Sequence, residues 1–102
     1  MLKFILLTSA NDGKHKYLIA LEDTTTGKIH KIKFGALGYE DFLTHLDEER
    51  KANYIKRHRV REDWTDPLKP GTLSRFILWN KPTLKASVDD YLKRFNIKSN
   101  WV

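Results

Sequence analysis

The chain has 102 residues, of which 40% are hydrophobic and 12% aromatic, so it can bury the core of one globular domain and is not a disordered segment. It contains no cysteine, which excludes disulfides, thiolate metal sites and a cysteine nucleophile. The 19 basic and 13 acidic residues give a formal net charge of +6, which favours polyanionic partners. We expect a single domain over residues 1–102 and no cofactor.

The first third of the chain has the pattern of β-strands. Three segments are rich in branched and aromatic side chains: residues 2–9, 15–22 and 28–34. A turn sequence that ends at Gly13 separates the first two. In the third segment, Ile32 and Phe34 alternate with Lys33, so one face should be apolar and the lysine-bearing face should see water. The pattern predicts a three-stranded antiparallel meander over residues 1–34.

From Tyr39 onward the pattern becomes helical, and we expect a long basic helix over residues 39–62. Acidic residues lie near its start and arginines near its end, as the helix dipole favours. Phe42 and Leu46 have the spacing of an apolar i, i+4 pair. Asp47 is placed to break the helix and to cap its second part, in which the apolar stripe is weaker and burial should be lower.

Residues 71–95, GTLSRFILWNKPTLKASVDDYLKRF, concentrate apolar and aromatic side chains. Pro82 interrupts the helical pattern, and Thr83 is placed to cap the helix that follows. In that second helix, four apolar residues share one face: Leu84, Val88, Tyr91 and Phe95. The segment predicts a helical hairpin. The expected fold class is therefore α+β, with the antiparallel meander packed against the long basic helix and the C-terminal helical hairpin.

The segment 50–61, RKANYIKRHRVR, is the first candidate functional site. No acid interrupts its cations, which are Arg50, Lys51, Lys56, Arg57, Arg59 and Arg61. A helix of this kind can set several cations along a phosphate backbone and release counterions, while Tyr54 or His58 could stack on an unpaired base. The alternative is a solvated helix face whose charges suit the helix dipole.

Histidine and acidic side chains form a second candidate cluster: His45, Asp47, Glu48, Glu49, His58 and Glu62. His45 with Glu49, and His58 with Glu62, have the i, i+4 spacing that puts both side chains on one helix face. A metal site needs at least three converging ligands, and no HExxH or comparable signature is present. We interpret these pairs as solvated, expect no metal site and no catalytic residue, and keep a metal-dependent hydrolase as a remote alternative.

The tryptophans form a third group of candidates. Trp64 and Trp101 lie outside the hairpin and could bind a protein partner, because aromatic anchors are enriched at interfaces. The alternative for both is packing on the flank of the core. Trp79 lies within the hairpin and is interpreted as a core residue.

Three strings of the sequence resemble a known family: KFGALGYEDF at residues 33–42, HLDEERKANYIKRHRVREDW at 45–64 and GTLSRFILWNKPTLKAS at 71–87. The family is a small group of uncharacterised proteins encoded by large nucleocytoplasmic DNA viruses of algae and amoebae. The resemblance extends from Lys31 to Phe95 and does not include the N-terminal strands. It implies a viral source and presence in the virion, and it supplies no active residue to carry over.

These features lead to one leading expectation and one main alternative. We expect a non-enzymatic, virus-encoded module that binds DNA or RNA backbone without strong sequence preference. The alternative is a minor capsid or cement protein that contacts other virion proteins through Trp64, Trp101 and a sheet edge.

No segment approaches the roughly 20 apolar residues of a membrane span, and the apolar run from Phe4 to Leu7 is too short for a secretory signal. We therefore expect the protein in the virion or in the infected-cell cytoplasm or nucleus, neither membrane-bound nor secreted.

Overall fold

The computed structural model describes residues 1–99 and begins with a three-stranded antiparallel sheet. Its strands are β1 (Leu2–Ser9), β2 (His15–Asp23) and β3 (Ile29–Ala36), and they lie in the order β1-β2-β3. The first turn is held by Asp12, whose carboxylate accepts hydrogen bonds from the backbone amides of Lys14 and His15 at 2.9 and 2.7 Å. The predicted meander is confirmed.

One face of the sheet is buried and the other faces water. Ile19 and Leu21 of β2 are fully buried, and Phe34 of β3 is 1% exposed. Lys31 and Lys33, which alternate with the inward-facing residues of β3, are exposed. The prediction that the lysine-bearing face sees water is therefore confirmed.

Two short helices follow the sheet, where one long helix over residues 39–62 with a break at Asp47 was expected. They are α1 (Phe42–His45) and α2 (Glu48–His58). Asp47 caps α2, because its carboxylate accepts hydrogen bonds from two backbone amides of the first turn at 3.0 and 3.2 Å. The predicted break and cap at Asp47 are confirmed.

Leu46 is the residue that ends α1. It adopts φ +54°, in the left-handed region, and its backbone amide donates to the Phe42 carbonyl at 3.0 Å. This conformation turns the chain away from the helix axis, and the Leu46 side chain is 54% exposed while Phe42 is buried. The predicted i, i+4 pair of these two residues is wrong. At its other end, α2 stops at His58 and not at Glu62, because residues 59–61 form a turn.

The C-terminal part contains two helical stretches on either side of Pro82. α3 (Pro70–Leu73) continues directly into a π-helical segment (Ser74–Leu78), and α4 (Leu84–Arg94) packs against that segment. The hydroxyl of Thr83 accepts a hydrogen bond from a backbone amide in the first turn of α4 at 3.2 Å, which confirms the predicted cap. No helix within residues 1–99 is long and apolar enough to cross a bilayer.

The core lies between the buried sheet face and the C-terminal helices. Its members come from both: Ile19, Leu21, Phe34, Leu73, Phe76, Ile77, Leu78, Val88, Tyr91, Leu92 and Ile97. Tyr91, from the predicted stripe of α4, is fully buried, and its hydroxyl donates to the carbonyl of Pro67 at 2.8 Å. This bond ties the segment before α3 to the core.

Candidate nucleic-acid interface

One face of α2 is held against the rest of the fold by stacked rings. The Tyr54 ring lies 4.3 Å from the Trp79 ring, at an angle of 3°, and 4.1 Å from the His58 ring, at 24°. Tyr54 is 8% exposed, and burial, together with the nearby Glu62 carboxylate, raises its pKa to about 12. Because rings cover both of its faces, Tyr54 cannot stack on an unpaired base, and that part of the prediction is corrected.

The first two cations of the predicted site already have partners. Nη1 of Arg50 donates to the Glu40 carboxylate at 2.8 Å. Nζ of Lys51 lies 4.0 Å from the Glu48 carboxylate and 4.8 Å from the centre of the Phe42 ring. Exposed pairs of this kind contribute only about 0–1 kcal/mol to stability. They nevertheless make the start of α2 mixed in charge and not strongly basic.

The remaining four cations are exposed where α2 ends: Lys56, Arg57, Arg59 and Arg61. Within residues 1–99, none of their side chains forms an ion pair or a hydrogen bond. Val60, which lies among them, is 77% exposed. We refer to Lys56, Arg57, Arg59, Val60 and Arg61 as the basic tip.

The basic tip owes its shape to the way α2 ends. The backbone amides of Arg61 and Glu62 both donate to the carbonyl of His58, at 3.0 and 3.1 Å. These bonds satisfy a carbonyl that the helix leaves without an intrahelical partner, and they turn the chain directly after the last helical residue. The turn leaves Val60 exposed, with no other helix or strand of residues 1–99 over it.

Two shallow grooves run along the basic tip. One is lined by Arg57, His58, Val60, Arg61 and Glu62, and the other by Ala52, Ile55, Lys56, Arg59 and Val60. Val60 borders both grooves and so forms a crest between two cationic sides. The acid of the first groove, Glu62, lies 3.3 Å from Nδ1 of His58 and accepts a hydrogen bond from the Trp64 indole at 3.2 Å.

Trp64, one of the two predicted partner-binding tryptophans, does not line either groove of the basic tip. Trp64 is half-buried, contacts the Phe76 ring edge-on at 6.4 Å and lies 5.5 Å from the Arg75 guanidinium. It therefore packs on the flank of the core, which was the alternative considered for it. Trp101 lies outside the residues that the structure describes, so its role stays a prediction.

The histidine and carboxylate cluster does not come together. His45 is the last residue of α1. Its Nδ1 accepts a hydrogen bond from the backbone amide of Asp47 at 3.0 Å. Glu49 belongs to α2, so it does not share a helix face with His45, and the predicted i, i+4 relation is wrong. His58 and Glu62 do lie together, at 3.3 Å. In the part of the chain that the structure describes, no group of three or more such side chains could hold a metal ion.

Sequence reasoning missed a partly buried ion pair beside α1. Nζ of Lys16 donates to the carboxylate of Asp41, which is 3% exposed and caps α1 through a capping box with Thr44. The pair borders a cleft of about 290 Å³ that extends to Tyr54 and Trp79. The Asp-x-x-Thr spacing at residues 41–44 is a local signal for this cap, whereas no local pattern points to Lys16.

Comparison with known proteins gives a family match over the sheet and the first two helices. The model of a family of unknown function (DUF5754) matches residues 6–58, which extend from within β1 to the last residue of α2. No curated protein and no solved structure matches the chain. Because the matched segment covers more than half of its residues, the protein belongs to the family of unknown function DUF5754.

Proposed function

We propose that the protein is a non-enzymatic, virus-encoded module that binds the phosphate backbone of DNA or RNA without strong sequence preference. The observation that supports this proposal is the basic tip, whose four exposed cations have no carboxylate partner among residues 1–99. A cation that neutralises a phosphate releases a condensed counterion, which favours binding at low salt. In this proposal, α2 and the turn after it act as the basic helix, and the helices on either side of Pro82 form a hairpin that supports it.

The charge balance at the end of α2 favours an anionic ligand despite the helix dipole. The carboxyl end of a helix carries about −0.5 of an elementary charge, whereas the basic tip presents four full positive charges. Four neutralised phosphates predict a slope of about −3.6 for the logarithm of the binding constant against the logarithm of salt concentration on B-form DNA. Phosphates carry no base identity, so such binding has little sequence preference.

Charge reversal at the basic tip tests this proposal. We expect the double variant Arg57→Glu/Arg59→Glu to abolish binding, because it replaces attraction to phosphate by repulsion at both positions. Binding is measured by fluorescence anisotropy of labelled DNA and RNA at several salt concentrations.

The matched control is Lys28→Glu/Lys31→Glu, which changes the net charge equally on an exposed part of the sheet and its turn. This control should keep most of the binding. If the unaltered protein does not bind, or binds with an affinity that salt does not change, the proposal is wrong.

A second candidate function is that of a minor capsid or cement protein that contacts other virion proteins. Exposed apolar residues after β3 favour it, since Leu37 is 54% and Tyr39 74% exposed. The β1 edge is less suitable, because the amide of Phe4 already donates to the carbonyl of Lys98 at 2.8 Å. The experiment is to treat purified virions with nuclease and to ask whether the protein stays with the capsid shell. Co-purification with the shell would favour this candidate. Release by nuclease would favour nucleic-acid binding. Both candidates place the protein in the virion or in the infected-cell cytoplasm or nucleus.

A further inference from the structure

The cations of the basic tip form two rows on opposite sides of Val60. Lys56 and Arg59 border one groove, Arg57 and Arg61 border the other, and Val60 borders both. A single phosphate strand that follows one row leaves the other row, with half of the charge, in water.

The crest between the two rows is the single residue Val60, which is apolar and exposed. Val60 is 77% exposed and has no group that binds phosphate. An α-helix with its side chains is about 10–12 Å wide, and the major groove of B-form DNA is about 12 Å wide, with a phosphate strand along each side. The end of α2, with the turn after it, carries cations on both sides and uncharged Val60 between them. A helix end of ordinary width can enter that groove with Val60 toward the base edges.

The surroundings of the basic tip offer little to a single strand. Proteins that bind single-stranded nucleic acid without sequence preference stack its bases on aromatic side chains. The aromatic ring of α2, Tyr54, is covered on both faces by Trp79 and His58, and His58 places one of its own faces against Tyr54. Of the Tyr54 and His58 rings, His58 alone keeps an open face, and its side chain is 42% exposed. Four cations beside so small a stacking surface favour a duplex, because the bases of a duplex are already stacked on one another.

We infer that the basic tip binds double-stranded B-form DNA across the major groove, with Lys56 and Arg59 on one strand and Arg57 and Arg61 on the other. The inference rests on the proposed function and specifies its ligand. The A-form RNA duplex does not suit this mode, because its major groove is deep and narrow. Sequence preference is weak, since Val60 offers the bases only an apolar contact.

Three ligands of the same sequence test the inference with the full chain. They are a DNA duplex of about two helical turns, one of its strands, and the corresponding RNA duplex. Anisotropy at several salt concentrations measures each affinity. We expect the DNA duplex to bind on the order of tenfold more tightly than either of the others, because it alone can contact both rows.

The outcomes separate this inference from the function on which it rests. If the single strand or the RNA duplex binds as tightly as the DNA duplex, and does so in a salt-dependent way, the major-groove mode is wrong while the proposed function stands. If none of the three ligands shows salt-dependent binding, both are wrong.

Neutral variants of each row supply an independent measurement. Lys56→Gln/Arg59→Gln and Arg57→Gln/Arg61→Gln each remove a pair of exposed charges, and unchanged circular dichroism will show that the fold is kept. On the DNA duplex, each pair should make the salt slope shallower by about 1.8. On the single strand, either pair alone should have little effect, because the strand can follow the other row. If only one of the two pair variants changes the salt slope of binding to the DNA duplex, the inference is wrong.

Discussion

Gly35 is a residue whose identity the packing of the sheet requires. It lies in β3 with φ +78°, and a Cβ at this position would be 2.8 Å from Cδ1 of Leu78 and 3.3 Å from Cβ of Lys16. Leu78 is 2% exposed, so its side chain has little room to move. Any larger residue would therefore destabilise the fold in two ways: its backbone would be strained at this positive φ, and its Cβ would collide with Leu78.

Replacement of Gly35 by alanine should destabilise the fold more than replacement of Gly27. Gly27 has φ +76°, and an added Cβ there would have nothing within 4 Å. Gly27→Ala therefore isolates the left-handed backbone cost of about 1–2 kcal/mol. Gly35→Ala should cost about 1–3 kcal/mol more, from overpacking against Leu78. Urea unfolding measures both losses, and equal values would show that Leu78 yields without cost.

Among the elements, the π-helical segment and α4 are joined by Asn80. This residue is 6% exposed, and its amide donates to the carbonyl of Phe76 at 3.0 Å and to the carboxylate of Asp90 at 2.7 Å. Burial alone would raise the pKa of Asp90, but the hydrogen bond from Asn80 and the charge of Arg94 outweigh it, so the pKa lies below its ordinary value. A lowered pKa contributes stability above the unfolded-state pKa, and this stability is lost as the pH falls through the folded-state pKa.

The variant Asn80→Ala should lower the free energy of unfolding by about 1–3 kcal/mol at neutral pH, because it removes the donor from the buried Phe76 carbonyl and from the partly buried Asp90 carboxylate. The loss should become smaller as the pH falls from the ordinary aspartate pKa of 3.8 through the lower folded-state pKa of Asp90, at which its carboxylate becomes protonated. As a control, Asp89→Asn breaks an exposed pair with Lys85 at 3.0 Å and should cost only about 0.3–0.5 kcal/mol. Urea unfolding at neutral and acidic pH provides the comparison. A loss for Asn80→Ala that does not change with pH would contradict the role given to Asp90.

In the molecule as a whole, stability depends on burial of the C-terminal helices against the sheet. Tyr91→Ala or Phe76→Ala should each destabilise by about 3–5 kcal/mol, as expected for a large aromatic residue in a core. Tyr91→Phe keeps the ring and loses the hydrogen bond to Pro67, so it should cost about 1 kcal/mol. Thermal and urea unfolding of these variants will show whether the alanine variants lose more stability than Tyr91→Phe. A small effect of Tyr91→Ala would mean that the core does not depend on α4.

Helices and strands that are determined by interactions between residues close in the chain were predictable from the sequence pattern. The alternation of Ile32 and Phe34 with lysines predicted β3 and its faces. Asp47 and Thr83 predicted two helix starts, because a capping side chain reaches only two or three residues along the chain. Leu46 was the exception, since a leucine in the left-handed region has no signal in the sequence and is held there by the surrounding fold.

The candidate site was predictable as a set of cations but not as a surface. Its six cations stand in the sequence, yet nothing local shows that Glu40 neutralises Arg50 or that Trp79 covers Tyr54. Both contacts join different elements, and their existence depends on how α2 is placed against the rest of the fold. For the same reason, sequence reasoning did not identify Val60 as the exposed crest of the basic tip.

By itself, the sequence determined that the protein is an α+β domain with an N-terminal antiparallel sheet, two capped helix starts and an excess of positive charge. These properties follow from composition and from interactions that span a few residues. The tertiary structure alone decided which charges are paired and which rings are covered, because those outcomes depend on contacts between distant segments. The basic tip is what that packing leaves in water: four cations that have no partner among residues 1–99, and one apolar residue between them.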